Sequence, residues 1–366
     1  MNKKDLRVDI AIIGAGVSGL SCGYFLKKMR IDNFLILDAN PKPNTSKGPG
    51  FFSREVWDNY TRAHHNHDPA KAKILWNFHS QGFSDLVEYL ENQKITYRLG
   101  KRVRLLTSEH EVKEATIAVR LLKENGFESE LIGNRQESQH SAGLLDASTL
   151  ADSLSAAISG KIKNYNALSI TTGSQVTIAT EEHNIRCELC VLACDWEIAK
   201  LLPELEEAII PISDQWNLIE NLNDAAAVDP NLYSANHGYY FAVQQNQGAW
   251  ALGGARFLRH LAGIGVYHYK PDERISKHLK EAFEKIASLR LGRELNSTPM
   301  IEASSCDDLP IIGPILGNSR LLLATAYNKT GLSTGFYAGH CLAELIASGR
   351  CEKLPEIFSP KRFQGF

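Results

Sequence analysis

Apolar and polar positions near the amino terminus alternate in a pattern that predicts a strand, a helix and a second strand. Residues 8–13 form a short apolar run rich in isoleucine, which is typical of a buried parallel strand. Residues 33–38 form a second apolar run, and it ends in an acid. Between the two runs, apolar residues recur at helical spacing at Cys22, Phe25, Leu26 and Met29. The pattern therefore predicts a β-α-β unit.

The joint between the first strand and the helix carries the motif Gly14-x-Gly16-x-x-Gly19. In this context the first glycine permits a tight turn, the second lets a pyrophosphate approach the backbone, and the third lets the helix pack on the strand. Asp38 follows about twenty residues later, where a carboxylate accepts ribose hydroxyls and repels a 2′-phosphate. The motif predicts a dinucleotide site that disfavours NADP, and it leaves NAD and FAD open.

The remaining periodicity predicts further helices and strands. Residues 41–51 are rich in Pro, Gly and small hydroxyl residues, so we expect a loop there that could contact the pyrophosphate. We expect His64, His65 and His67 to form a polar surface turn without a metal. Helices are predicted to open at Asp68-Pro69, to cover 109–125, 144–160 after Asp146, 271–289 and 332–348, and strands to cover 175–179, 185–194, 299–302 and 321–325.

Residues 209–256 have the alternation of an antiparallel sheet. Aromatic-rich segments at 238–243 and 249–254 flank the turn residues 246–248, which predicts a β-hairpin that could form one wall of a pocket. Tyr240 and Arg256 are candidates for that wall, although cross-strand packing is an equal alternative for the tyrosine.

Composition limits the class of protein. The 366 residues are 43% hydrophobic with a net charge of −2, which predicts a globular protein of two domains without a nucleic-acid partner. No apolar run is long enough to span a bilayer. Seven cysteines, an odd number, favour reduced thiols and a cytoplasmic location. Cys187-x-x-Cys190 lies in an apolar run, so we expect a buried strand there and no metal site.

A second strand-loop-helix lies near the carboxyl end of the sequence. The apolar run 321–325 leads into Asn328-Lys329-Thr330-Gly331 and then a helix that Gly349 ends. Such a segment offers backbone donors and a helix amino terminus to another acceptor.

Taken together, these motifs resemble the FAD-dependent D-amino acid oxidase superfamily, in particular its glycine oxidase and sarcosine oxidase-like branch. The resemblance rests on the glycine motif, Asp38, the Ser46-Lys47-Gly48 loop, Leu309-Pro310-Ile311-Ile312-Gly313-Pro314, and the turn at Gly331. It implies an α/β FAD-binding Rossmann-type domain (1–80, 141–205 and 303–366) with an α+β substrate domain built on an antiparallel sheet (81–140 and 206–302).

The resemblance also implies which residues contact FAD. It assigns the adenine half to the glycine motif and Asp38, the pyrophosphate and ribityl to the loop after Asp38, and the flavin ring to the turn before the last helix. The implied FAD-binding residues are Gly14, Ala15, Gly16, Val17, Ser18, Gly19, Asp38, Ala39, Ser46, Lys47, Gly48, Gly50, Val176, Ala193, Trp196, Gly313, Lys329, Thr330, Gly331 and Leu332.

Two departures from the family pattern affect the substrate and the flavin linkage. Glycine and D-amino acid oxidases often carry a carboxylate-binding arginine where this chain has Glu302. A glutamate there would repel a carboxylate and attract an ammonium, unless Arg256 takes over the arginine's role. Sarcosine oxidases attach flavin to a cysteine at the position of Met300, so we expect non-covalent FAD.

The sequence thus predicts an FAD-dependent enzyme that oxidises the C–N bond of an amine or amino acid. Hydride would pass to flavin N5, and O₂ is the expected acceptor, giving an imine and H₂O₂. Tyr240, Arg256 and Glu302 are the predicted substrate-pocket residues. The alternatives are a flavin-dependent 2-hydroxy acid dehydrogenase and a flavin-binding protein without turnover. No metal is predicted.

Overall fold

The structure is a computed structural model that describes residues 3–40, 44–222, 231–245, 248–267 and 270–363. Part of the predicted loop after Asp38 and the hairpin turn residues Asn246 and Gln247 lie outside these ranges. Among the described residues, no helix is long and apolar enough to cross a membrane.

The helices are, in chain order, α1 (Val17–Lys28), α2 (Tyr60–His67), α3 (Pro69–Asn92), α4 (Glu109–Glu124), α5 (Ala147–Ala157), α6 (Ile198–Leu201), α7 (Glu273–Ile286) and α8 (Gly331–Ser348). The strands are β1 (Lys4–Arg7), β2 (Ile10–Ile13), β3 (Phe34–Leu37), β4 (Phe51–Ser53), β5 (Tyr97–Leu105), β6 (Glu130–Ile132), β7 (Arg135–Leu145), β8 (Ile162–Lys163), β9 (Ser169–Thr172), β10 (Val176–Ala179), β11 (His183–Cys187), β12 (Leu189–Leu192), β13 (Ile209–Asn221), β14 (Leu232–Ala235), β15 (Tyr240–Gln244), β16 (Ala249–Gly254), β17 (Leu291–Ser305), β18 (Ile311–Ile315) and β19 (Asn318–Thr325).

One sheet contains the predicted β-α-β unit at its centre. Its strands lie in the order β18-β19-β12-β2-β3-β8, and all neighbours are parallel except β18 and β19. Every residue of β2 and β3 is buried, as continuous apolar runs predict for strands covered on both faces. The prediction of a Rossmann-type core is confirmed.

A larger, mostly antiparallel sheet forms the second part of the fold. Its order is β17-β13-β16-β15-β14-β5-β7-β4, and β6 pairs with β7. The predicted hairpin is present, because β15 and β16 pair antiparallel. The predicted fold class, with a substrate sheet of antiparallel character, is confirmed. The domain boundaries stay a prediction; β4, from the first predicted cofactor segment, pairs with β7 in this sheet.

A third sheet has the strand order β1-β11-β10-β9. The strand predicted over residues 185–194 is two strands in the structure, β11 in this sheet and β12 in the parallel sheet. The apolar run that ends at Cys194 is interrupted at Glu188, where the N–H groups of Glu188 and Leu189 both donate to the Asp9 carbonyl. The chain therefore leaves this sheet at Cys187 and enters the parallel sheet at Leu189. Apolar character alone does not reveal such a change of sheet.

The capping residues in the sequence correctly predicted where several helices begin or end. Asp68 accepts a hydrogen bond from the Lys71 N–H at the start of α3, and Asp146 accepts one from the Ser148 N–H at the start of α5. Gly349 ends α8 in the left-handed conformation. The prediction of a histidine-rich surface turn was wrong, because His64–His67 forms the last turn of α2.

Helices α1 and α8 cross unusually closely. A β-carbon on Gly339 of α8 would lie 2.4 Å from the Ser18 carbonyl oxygen and 2.7 Å from the Cys22 nitrogen of α1. The Ser21 Oγ of α1 donates a 2.6 Å hydrogen bond to the Phe336 carbonyl of α8. This crossing joins parts of the chain that lie more than three hundred residues apart in sequence.

We expect Gly339→Ala to lower the free energy of unfolding by about 1–3 kcal/mol, because the added methyl group would force the two helices apart. Urea denaturation followed by circular dichroism measures the change. Gly173→Ala is the matched control, since a β-carbon there has no atom within 4 Å. An equal effect of the two substitutions would contradict the tight crossing.

Candidate functional site

A cavity of about 540 Å³ runs from the glycine motif to the start of α8. It lies at the carboxyl ends of β2, β3 and β12, where ligands bind in open parallel sheets. The predicted cofactor residues that line it are Gly14, Gly16, Val17, Ser18, Asp38, Ala39, Lys47, Gly48, Gly50, Ala193, Lys329, Gly331 and Leu332.

The glycine motif has the geometry of a phosphate-binding turn. Gly14 has a φ of 105°, and a β-carbon there would lie 2.4 Å from the Ala193 carbonyl oxygen. Gly16 precedes α1 without a side-chain cap, and a β-carbon on it would meet only the Thr45 Oγ1, at 3.6 Å. The Thr45 Oγ1 accepts a 2.9 Å hydrogen bond from the Val17 N–H, and the other N–H groups of the first turn of α1 can bind an anion.

Asp38 lies at the end of β3 against the same turn. Its Oδ2 accepts a 2.6 Å hydrogen bond from the Ala15 N–H, and its Oδ1 accepts a 2.7 Å bond from the Asn40 N–H. These bonds fix the carboxylate at the cavity wall. Its remaining lone pairs can accept hydrogen bonds from ribose hydroxyls.

The opposite end of the cavity is formed by the turn before α8. Ala326, Asn328 and Lys329 have φ values of 61°, 48° and 72°, so this turn is left-handed without glycine. Thr330 caps α8 without a side-chain bond to its N–H groups. The Tyr327 hydroxyl accepts a 2.8 Å hydrogen bond from the Ser18 Oγ of α1, which ties the two ends of the cavity together.

Several predicted cofactor residues do not line the cavity among the residues that the structure describes. Ala15 and Gly19 build the glycine turn itself, and Thr330 is buried below the second turn. Ser46 lies between Thr45 and Lys47, which do line the cavity. Gly313 lies within β18, opposite Leu323 of β19.

Val176 and Trp196 do not line the cavity themselves, and their contacts with FAD stay predictions. Val176 is fully buried in β10, and the cavity is lined instead by residues 165–168, which precede the hairpin of β9 and β10. Trp196 packs its ring 4.2 Å from the Lys200 Nζ, while its neighbour Asp195 lines the cavity. The sequence missed residues 165–168 because no local pattern separates them from an ordinary loop.

The aromatic wall is formed by Phe241 rather than Tyr240. Side chains alternate along β15, so Phe241 faces the cavity while Tyr240 faces α7 and bonds to the His278 Nε2 at 2.9 Å. Arg256 also lies off the cavity wall, where its Nη1 donates to the Ala262 carbonyl at 3.1 Å. Neither Tyr240 nor Arg256 lines the cavity, although the Arg256 charge lowers the pKa values of both Glu302 and Lys329.

Glu302 does line the cavity, and it belongs to a charged cluster. The Lys329 Nζ forms an ion pair with the Asp214 carboxylate, and it lies 3.7 Å from the Glu302 Oε1. The rings of Trp57 and Phe241 each lie 5.8 Å from the same ammonium. No local pattern in the sequence predicts Asp214 at this site, because a buried acid within a strand has no local signature.

Burial and pairing set the protonation of this cluster. Burial raises the pKa of Glu302 to about 7, although the Lys329 ammonium acts in the opposite direction. Burial also works against the charge of Lys329, but the Asp214 and Glu302 carboxylates outweigh it and hold the lysine pKa above its ordinary value. The lysine is therefore a cation, and Glu302 exchanges its proton near neutral pH.

Asp195 joins the two large sheets beside the cavity. It has a left-handed φ of 55°, and its carboxylate accepts hydrogen bonds from the Ala303 N–H at 2.9 Å and the Thr325 hydroxyl at 3.3 Å. Burial raises its pKa to about 6. In the sequence, Asp195 directly follows the apolar run that ends at Cys194.

The glycine turn, the ribose-binding acid and two uncapped helix termini on one elongated cavity define a dinucleotide-dependent protein. The family model described as FAD dependent oxidoreductase (DAO) matches residues 9–345, and the chain belongs to this family. The residues present fit FAD, because donors for its phosphates and acceptors for its ribose lie along the cavity.

Several solved structures have a similar fold. Glycine oxidase from Geobacillus kaustophilus has a TM-score of 0.81 at 16% identity, covering 98% of this chain and all (100%) of that one. L-Proline dehydrogenase from P. horikoshii has a TM-score of 0.78 at 15% identity, covering 99% and 98%. Iminodiacetate oxidase from Chelativorans sp. BNC1 has a TM-score of 0.75 at 17% identity, covering 96% and 98%. A sequence search of curated proteins found no significant match.

Asp38→Ala should weaken FAD binding by about 10- to 100-fold, because a charged acceptor at the adenosine ribose would be lost. Reconstitution of flavin-free protein with FAD, followed by flavin fluorescence, measures the dissociation constant. Asp152→Ala removes an exposed acid on α5 and should leave the constant unchanged. Unaltered affinity in Asp38→Ala would remove this residue from the cofactor site.

Proposed function

We propose that this chain oxidises the C–N bond of a small amine, using non-covalently bound FAD and O₂ as acceptor, with an imine and H₂O₂ as products. The observation that carries the proposal is the pair of carboxylates, Asp214 and Glu302, at the cavity wall next to Phe241. The similar structures are named for glycine, L-proline and iminodiacetate, which all contain C–N bonds.

The charges at this wall favour a cationic substrate without a carboxylate. Lys329 is shared between Asp214 and Glu302, so these three residues carry one net negative charge when Glu302 is ionised, and the Arg256 charge offsets part of it. A substrate carboxylate at this wall would be repelled, and an ammonium would be attracted. The aromatic ring of Phe241 adds a surface on which the apolar part of an amine can pack.

Glu302 would prepare the amine for oxidation. An ammonium must lose a proton before the adjacent C–H bond can be cleaved as hydride, and a carboxylate with a pKa of about 7 can accept that proton at neutral pH. FAD, when bound, would accept the hydride from the carbon next to the nitrogen. The chain would otherwise supply orientation and exclusion of water.

The far end of the cavity would stabilise negative charge on the reduced cofactor. The amino terminus of α8 has no side-chain cap, and its first residues, Gly331 and Leu332, line the cavity together with Lys329. Donors and cations positioned in this way stabilise charge that develops during a reaction.

The cysteines support a non-covalent cofactor. Met300 lines the cavity where a flavin-linked cysteine would be expected, and Cys306 is exposed outside the lining. Cys194 lines the cavity, but it adjoins Gly14 at the phosphate end, away from Lys329. Acid precipitation would therefore release the flavin into solution.

Anaerobic mixing with a panel of substrates tests the substrate class. We expect amines without a carboxylate to bleach the flavin absorbance faster than amino acids or 2-hydroxy acids do. Glu302→Arg should shift the preference toward carboxylate-bearing substrates, with Glu302→Gln as the uncharged control. Bleaching by 2-hydroxy acids alone would indicate C–O oxidation, and no bleaching at all would indicate a flavin-binding protein without turnover.

The pH dependence tests the role of Glu302 in proton transfer. Because Glu302 must be ionised to accept a proton, kcat/KM should fall about tenfold for each unit of pH below about 7. Glu302→Gln should lower kcat/KM and abolish this acidic limb, while any limb due to the substrate amine should persist. An unchanged acidic limb in Glu302→Gln would contradict the assignment.

A further inference from the structure

Two histidines and a glutamate come together where α4 meets the turn before β15, outside the cavity described above. His110 and Glu114 lie four residues apart on α4, so they share one face of the helix. The His237 Nδ1 lies 3.4 Å from the Glu114 Oε2, and the His110 Nδ1 lies 3.9 Å from the same oxygen. One ligand atom from each residue falls within 4.8 Å of the others.

We propose that His110, Glu114 and His237 bind a divalent transition-metal ion, with Zn²⁺ as the expected occupant. Two imidazole nitrogens and one carboxylate oxygen form a ligand set that Zn²⁺ accepts, with a fourth position left to water. Ligand atoms at about 2.1 Å from a tetrahedral Zn²⁺ lie about 3.4 Å from one another. The two distances to Glu114 are close to that value, so small side-chain movements complete the site.

A small cavity adjoins these ligands. Its volume is about 20 Å³, and Glu114 and His237 line it together with Asp58 and Glu111. This volume holds about one water-sized occupant. Three carboxylates and the Arg104 guanidinium line the space next to the ligands, so the attraction for a cation there is offset in part.

His237 is held in position before any ion binds. Its backbone is left-handed, with a φ of 53°, and its N–H donates a 2.8 Å hydrogen bond to the Glu111 Oε1. Glu111 in turn accepts from the Thr107 N–H at 2.8 Å. A ligand fixed by outer hydrogen bonds needs less ordering when a metal binds.

Arg62 now occupies the cationic position beside the ligands. Its Nη2 lies 2.6 Å from the His237 Nδ1, and its Nε lies 3.5 Å from the Glu114 Oε1. Since the guanidinium is always a donor, the His237 Nδ1 presents a lone pair, which is the form that coordinates a metal. Asp58, 3.8 Å from the Arg62 Nη1, can retain the guanidinium when an ion replaces it on His237.

An ion here would tie α4 to a turn that supports the main cavity. The Trp57 Nε1 donates a 3.0 Å hydrogen bond to the Gly238 carbonyl, directly after His237. The Trp57 ring lies against the Lys329 ammonium, which lines that cavity. The site therefore has a structural connection to the cavity, and its existence does not depend on the proposed function.

Competition with a chromophoric zinc chelator tests the proposal on the purified chain with its flavin bound and any affinity tag removed. His110→Ala, His237→Ala and Glu114→Gln should each weaken Zn²⁺ binding by about tenfold or more. His260→Ala, which removes an exposed histidine elsewhere, should leave the affinity unchanged. Zn²⁺ should raise the Tm of the wild type and of His260→Ala, and not that of His237→Ala.

Arg62→Ala tests the proposal in the opposite direction, because a misfolded variant would bind Zn²⁺ more weakly and not more tightly. Removal of the competing guanidinium should tighten Zn²⁺ binding, because it frees the His237 Nδ1 and removes a positive charge. Affinity that is equal or weaker in Arg62→Ala would overturn the proposal. Equal affinity in the wild type and a His110→Ala/Glu114→Gln/His237→Ala triple variant would overturn it as well.

Discussion

The close crossing of α1 and α8 is the contact on which the rest of the structure depends. Because Gly339 has no β-carbon, the two backbones approach more closely than any other residue would permit. The Ser21 hydroxyl donates a hydrogen bond across the crossing to the Phe336 carbonyl. Both helices begin at the cavity, one after the glycine motif and one after Lys329. The crossing therefore sets the separation of two helix amino termini at the cavity. The Ser18–Tyr327 hydrogen bond fixes that separation at the cavity itself.

The charged cluster at Lys329 sets the electrostatics of one wall of the cavity. A lysine in a left-handed turn reaches across the cavity to Asp214 and Glu302 on two neighbouring strands of the antiparallel sheet, β13 and β17. The pairing holds the lysine charged despite its burial, while burial brings the pKa of Glu302 to about 7. The same three residues thus provide a permanent cation and a group that exchanges protons near neutrality. This combination is the basis for proposing an amine as the substrate.

Some residues that the sequence predicted near the cofactor line the cavity and others do not. The difference depends on whether local or long-range contacts position them. Gly14, Gly16 and Asp38 are where the sequence placed them, because a turn and the strand ends beside it form within one β-α-β unit. Tyr240 was predicted at the cavity wall, where the structure has Phe241, because a hairpin pattern does not show which face of the strand meets the cavity. Val176 does not line the cavity, because the loop before β9 lies there rather than the strand β10 that follows the hairpin turn.

The sequence by itself determined the glycine motif, Asp38 and the capped helix ends at Asp68, Asp146 and Gly349. Each depends on hydrogen bonds and backbone geometry within a few residues, so local patterns carry the information. Only the tertiary structure brought Asp214 and Glu302 to Lys329, and His237 to His110 and Glu114. Those groups come from elements that are distant in sequence, and their protonation depends on burial and on charged neighbours that meet only when the sheets and helices pack.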